Sequence, residues 1–421
     1  MATLEVPRSH SPRKHFFYGY VIVAIAFLLM AIMMGIQYAF GVFLKSLLRE
    51  FGWSVAATSG AFSLYMALHG FLFIVTGKLN DRLGPRVVMS VCGALIGLGY
   101  VLMSRTATIG HLYLSYGLVL AIGMSGGFVP LTSTVTRWFA TRRGLMSGIA
   151  VSGIGAGTMI MPPLASRLIL NYGWRTAYAM VGAIAFVVII VAAQFLKSPP
   201  GQGQPSANSL DEVRRKAKNL ESGGFSLWEV IRTRQFGLFS LAYFFFALFH
   251  QVVVVYLVPY ASELGIPAVV AASFFIALGG ASIFGRIGLG AISDRIGYRL
   301  ALAGCLIVAT LALVWLLVAR EVWMLYLFAS VYGLVYGGIV AIQSPLVADL
   351  FGMSSHGVML GIIVFLTTLG GAIGPVMAGR IFDVTGNYNL AFLAAIGASV
   401  IGVIASTFFI RAKTNTRRAN G

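Results

Sequence analysis

Charged residues are scarce: Asp, Glu, Lys and Arg make up 10% of the 421 residues, and 12 of them are acidic. Soluble domains carry roughly 25% charged residues, so this shortage excludes an ordinary globular enzyme. Cysteine is rarer still. Cys92 and Cys305 lie in apolar stretches without metal-ligand spacing and read as buried free thiols. No P-loop, nucleotide fold, zinc spacing or nucleophile triad occurs, so neither ATP drive nor catalysis finds support, and no cofactor is expected. Alternating strands of ~10 residues are missing as well, which excludes a membrane barrel. The apolar run after the basic Met1–Lys14 is too long for a signal peptide, and no cleavage site follows it.

Apolar residues are plentiful instead, at 58%, with a mean hydropathy of +0.89. Runs of the ~20 residues that cross a bilayer as a helix recur along almost the whole chain. Twelve can be drawn: 17–46, 54–77, 87–104, 111–136, 144–167, 176–196, 235–261, 268–292, 300–319, 322–347, 357–380 and 388–410. The expected class is an all-α membrane protein. The net charge of +18 is read as topology rather than as a nucleic-acid footprint. With a cytoplasmic N-terminus, 22 of the 30 Lys and Arg fall in cytoplasmic segments, 7 lie on the other side, and Arg286 remains within a span. The densest basic cluster is Arg214, Arg215, Lys216 and Lys218, in a central loop. That places a multi-pass protein in the inner (plasma) membrane with both termini cytoplasmic, acting as a monomer and without a nucleic-acid partner.

The chain repeats itself. Gly77–Arg86 reads G-K-L-N-D-R-L-G-P-R and Gly290–Arg299 reads G-A-I-S-D-R-I-G-Y-R, an offset of 290 − 77 = 213. The same offset carries Cys92 to Cys305, Gly144 to Gly357 and Pro162 to Pro375. Two parallel six-helix repeats point to a carrier of two rocking bundles with its site between them near the midplane. The expected division is an N-terminal bundle over 1–196, a cytoplasmic loop over 197–234 and a C-terminal bundle over 235–421.

G-x-L-x-D-R-x-G-x-R between the second and third of twelve helices resembles the loop signature of the major facilitator superfamily. Trp138–Gly157, with Phe139, Arg142, Arg143, Leu145, Gly148, Ala150, Gly153 and Gly157, resembles the fifth-helix signature of the monocarboxylate transporters. Gln37-Tyr38 and Arg286 are similar to residues of the bacterial oxalate/formate exchangers. The resemblance implies the major facilitator fold and transport of a small carboxylate. Departures reduce the charge of the site. An acidic first-helix signature is replaced by Phe17-Tyr18-Gly19-Tyr20, an eighth-helix Asp by Ser282, a first-helix lysine by a residue near Val42, and an eleventh-helix lysine by Thr367.

One fixed cation therefore stands out. Arg286 lies six or seven residues before the cytoplasmic turn, which at ~1.5 Å per residue is about 10 Å into a hydrocarbon layer of ~30 Å. No acid lies within two turns of it on its own helix, and Gly279, Gly280, Gly285 and Gly288 leave room beside it. Its missing counter-ion is read as a substrate carboxylate, held by the planar guanidinium fork. The bland alternative is a side chain that snorkels to the interface. His250, whose repeat partner is Gln37, is the candidate group for proton coupling together with Arg286, with His69 as its rival. Gln37, Tyr38, Phe128, Tyr332 and Tyr336 complete the expected pocket. Asp81, Arg82 and Arg86, with their repeats Asp294, Arg295 and Arg299, are expected to gate by interacting with helix ends.

The function expected is secondary active transport of a monocarboxylate such as lactate or pyruvate, with proton symport. Carboxylate exchange of the oxalate/formate type is one alternative, and a transporter-like ligand sensor is another.

Overall fold

The computed structural model describes residues 17–139, 143–198, 232–351 and 356–411. Arg142, the Arg214–Lys218 cluster and the side chains of Asp81 and Arg143 lie outside the described residues. Among those described, every regular element is helical. An apolar solvent dictates this, because each backbone N–H and C=O in lipid must be paired within its own segment.

The helices are α1 Gly19–Phe51, α2 Val55–Leu83, α3 Pro85–Ser104 and α4 Ile109–Trp138. The next run, Arg143–Gln194, is continuous in assignment but contains Gly173 at φ 77°, ψ 160°. No helical residue adopts those angles, so the run is two spans, α5 over 143–172 and α6 over 174–194. Then follow α7 Arg234–Glu263, α8 Ala268–Ile296, α9 Tyr298–Val318, α10 Val322–Phe351, α11 His356–Thr385 and α12 Tyr388–Arg411. Eleven long apolar helices are thus twelve spans, one of the eleven being broken at Gly173. Several run further than the apolar stretches alone suggest. α2 and α8 both continue through their D-R pair before a glycine stops them.

Among the described residues, six glycines with positive φ restate the repeat in backbone angles. Gly52, Gly84 and Gly173 have φ of 63°, 79° and 77°, and Gly265, Gly297 and Gly386, each 213 residues later, have 81°, 89° and 65°. Each pair closes equivalent turns, after α1 and α7, α2 and α8, and α5 and α11. A side chain at Gly84 or Gly297 would be strained there, which is why the D-R-x-G signature needs its glycine.

Helices α1–α6 pack mainly on one another, as do α7–α12, and the two sets meet along α1–α7, α2–α11 and α5–α8. Small residues set these approaches. A Cβ on Gly279 of α8 would overlap the Gly155 carbonyl of α5, and one on Gly41 would meet Val255 of α7. Within the second set, Gly285, Gly333 and Gly337 press α8 and α10 backbone to backbone around Arg286. The glycines near Arg286 are therefore not all spare room: Gly279 and Gly285 are occupied by neighbouring backbone, while Gly288 faces open space. Gly285→Ala is expected to destabilise the protein by ~1–3 kcal/mol through overpacking against Leu334. A lower thermal midpoint of the detergent-purified protein would show it, and an unchanged midpoint would contradict it.

Candidate functional site

Arg286 sits ten residues before the end of α8 at Ile296, so ~15 Å along the helix at ~1.5 Å per residue. The helix end lies further from Arg286 than expected, because α8 continues through Asp294 and Arg295. Its neighbours Phe284 and Ile287 are 72% and 68% exposed on the outer face, whereas Arg286 is 8% exposed. The side chain points into the protein and does not snorkel. Nη1 donates to Ser282 Oγ at 3.3 Å, one turn earlier, and the guanidinium lies 5.6 Å from the Tyr336 ring centre. Nε and Nη2 are buried without any hydrogen-bond partner. Among the described residues, no carboxylate pairs with Arg286.

His250 is packed in a stack of rings. Tyr336 lies 4.2 Å from it at 9°, with Tyr332 and Phe246 further off and nearly parallel. Both ring nitrogens are engaged, Nε2 with the Tyr38 hydroxyl at 3.2 Å and Nδ1 with the Tyr332 hydroxyl at 3.1 Å. In neutral imidazole one of these nitrogens donates and the other accepts. The Tyr38 hydroxyl also lies 2.6 Å from that of Tyr336. A continuous chain of exchangeable protons thus runs Tyr332–His250–Tyr38–Tyr336, and Tyr336 sits against Arg286. Tyr38 is the member from α1, so this chain crosses between the two helix sets.

Tyr38, His250 and Tyr336 border a cavity of about 160 Å³, lined also by Gln37, whereas Tyr332 stands behind His250 and is not part of the lining. Arg286 is not among the residues that line this cavity, whereas Tyr336, whose ring the guanidinium faces, is. Gln37 accepts from the Tyr65 hydroxyl at 3.3 Å and donates to Met66 Sδ at 3.4 Å. Thr367, where a lysine stands in the exchangers that the sequence resembles, does face this cavity. The geometry does not bring Phe128 here. It begins the last segment of α4 and packs on Phe73 at 6.3 Å, away from the cavity lining. His69 is also elsewhere, between Tyr65 and Phe73, with Nε2 3.2 Å from the Met124 carbonyl.

The loop residues expected to gate make contacts inside each helix set. Arg86 Nε donates to Gln194 of α6 at 2.8 Å, and its repeat Arg299 donates to the Phe409 carbonyl of α12 at 3.1 Å. Asp294 accepts from Tyr298 one turn on, at 2.7 Å, while Arg82 and Arg295 are exposed. Besides the Tyr38 contacts at the cavity, bonds that cross between the sets are found at the opposite end of α2 from the D-R loop. Asp383, near the end of α11, accepts from the Val55 and Ala56 backbone N–H groups at the start of α2, both at 2.8 Å. Tyr256 of α7 meets Ser59 of α2 at 2.6 Å and donates to the Pro375 carbonyl of α11 at 2.6 Å. Sequence reading missed Asp383, although a signal existed. Its repeat partner is Leu170, so it breaks the symmetry as Arg286 does against Phe73.

Twelve spans in two matching sets of six, with a cavity carrying a few polar groups where the sets meet, define a membrane carrier built of two helix bundles. Residues 23–319 and 283–421 match the Major Facilitator Superfamily, and the chain belongs to that family of transporters. It is 28% identical over 386 residues to monocarboxylate transporter 13 of Rattus norvegicus, covering 90% of this chain and 86% of that one. Human monocarboxylate transporter 11 is 28% identical over 385 residues, covering 89% and 79%. A solved bacterial homolog of the human lysosomal transporter Spinster, inward-facing and occupied, superposes with a TM-score of 0.74 at 16% identity. That likeness covers 96% of this chain and 98% of that chain, and it speaks to the fold.

Proposed function

We propose that this transporter moves a small monocarboxylate together with a proton, by alternating access, with Arg286 holding the carboxylate and His250 serving the proton. The observation that carries the reading is the pair of unpartnered nitrogens. Nε and Nη2 form the side-on fork of the guanidinium, the edge that grips a carboxylate with two parallel bonds. A buried cation without a counter-ion is costly within a membrane, so the site is completed by an anion. The relatives named monocarboxylate transporters supply the substrate class. They favour that class over exchange of the oxalate/formate type, for which a single fixed cation would face two charges.

To reach the fork from the cavity, the anion displaces Tyr336, and with it the hydroxyl contact to Tyr38. That movement passes occupancy of the second helix set to the first. A carboxylate at Arg286 and a proton on the His250–tyrosine chain favour one another, because binding linkage is reciprocal. Together they leave the net charge of the site as it was, so that taking up both partners sets no additional charge against closing the sets over the ligand. With the basic loops cytoplasmic, the Asp383 and Tyr256 bonds hold the outer end shut, and uptake then needs that end to open.

The test is uptake of labelled lactate into proteoliposomes under an imposed proton gradient. His250→Ala is expected to retain downhill uptake while losing its dependence on the gradient. Gradient dependence equal to that of the parent protein would remove His250 from the coupling role. Downhill uptake that is unaffected in Arg286→Gln would remove the carboxylate assignment.

A further inference from the structure

The cavity holds more hydrogen-bonding capacity than a carboxylate and a proton use. Gln251, next to His250 on α7, is 7% exposed and lines the cavity. Its Nε2 approaches Met66 Sδ at 3.9 Å, and its Oε1 is buried without a partner. Gln343, two turns beyond Tyr336 on α10, lines the same cavity, and its Nε2 is buried without a partner. The other polar groups in the wall are committed. Gln37 is engaged at both ends, and the hydroxyls of Thr367 and Thr368 donate to the Ile363 and Phe365 carbonyls, both at 2.7 Å. What remains open is one acceptor and one donor, on two different helices.

We infer that Gln251 and Gln343 form a second subsite that takes a hydroxyl on the substrate's carbon chain, so that hydroxy monocarboxylates are preferred over the matching oxo acids. This rests on the reading of the cavity as a monocarboxylate site. A hydroxyl donates once and accepts twice, which answers both open groups at the same time. An oxo oxygen accepts only, so it satisfies Gln343 and leaves the Gln251 carbonyl buried and unpaired. Exchanging the oxygen and nitrogen of the Gln343 amide, or of both amides, still leaves an open acceptor that a hydroxyl can serve and an oxo group cannot. A second carboxylate would set its charge against the Gln251 carbonyl, with Thr367 in place of a cation.

The experiment measures binding of two matched pairs, lactate with pyruvate and 3-hydroxybutyrate with acetoacetate, to the purified full chain in detergent. The parent protein is expected to bind the hydroxy acid of at least one pair about tenfold more tightly, the scale of one buried hydrogen bond left unmade. Gln251→Met, which keeps the side-chain length beside Met66, should erase that preference by weakening the hydroxy acid while leaving the oxo acid within about twofold. Gln343→Leu should narrow the preference independently. Equal binding within both pairs, lost altogether in Arg286→Gln, would overturn the hydroxyl subsite and leave the carboxylate reading standing. A preference that survives both glutamine variants would do the same. Binding of none of the four acids would overturn both.

Discussion

Arg286→Lys is expected to abolish concentrative uptake almost as completely as Arg286→Gln, although it keeps the charge. The free edge of Arg286 is a fork, with Nε and Nη2 both unpartnered, while Nη1 is held by Ser282. An ammonium offers a single point of charge and cannot give two parallel bonds to a carboxylate. Its shorter reach also loses the contact with the Tyr336 ring. Losing one of two hydrogen bonds to a charged group costs ~1.5–3 kcal/mol, which is roughly tenfold or more in affinity. The variant should show this in half-saturation under zero-trans uptake.

A stability measurement separates this from simple damage to the fold. In the empty protein Arg286 is a buried charge with no counter-ion, so replacing it with glutamine should leave the thermal midpoint unchanged or raise it. A folding residue would behave in the opposite way. If Arg286→Gln lowers the midpoint sharply, the guanidinium is structural and the substrate assignment fails. If the midpoint holds and uptake of every monocarboxylate tried persists, the anion binds elsewhere.

Much of this was readable in the residues, for a physical reason. Lipid forces helices, so the twelve spans follow from apolar run length, and the repeat follows from turns that only glycine can make, as Gly84 and Gly297 show. Arg286 and His250 were legible because a polar residue in an apolar helix is costly wherever it stands. Which faces meet was less legible. Phe128 was expected to line the cavity, yet α4 contributes none of the lining residues, and Phe128 follows a break after Ser125 and packs on Phe73. Gly279 and Gly285 near Arg286 read as space and are contact, while Gly288 is open, since a small residue permits either and only the neighbouring helix decides. Asp383 escaped because its partners are backbone N–H groups, which leave no trace in side-chain sequence.

That bond gives the second large prediction. Asp383 accepts two backbone N–H groups from the first turn of α2, where the helix dipole also favours an anion. It is one of the bonds that tie the two helix sets at that end, and opening there must break it. The carboxylate is exposed to solvent, so its contribution is discounted to ~1–2 kcal/mol. In a two-state carrier that still shifts the ratio of closed to open by roughly tenfold. Asp383→Asn is neutral and presents an NH₂ group to donors, so it should favour the state open at that end. Spin labels at Arg49 and Val384, both exposed and on opposite sets, would report it as growth of a longer-distance population. With that end outermost, the half-saturation for external substrate should fall as well, since a larger fraction of carriers is ready to bind. The Tyr256–Ser59 contact should not compensate, because it lies deeper along α2 and does not involve its first turn. An unchanged distance distribution in Asp383→Asn would mean that this end is held by that tyrosine and by close helix packing, with Asp383 reduced to a cap.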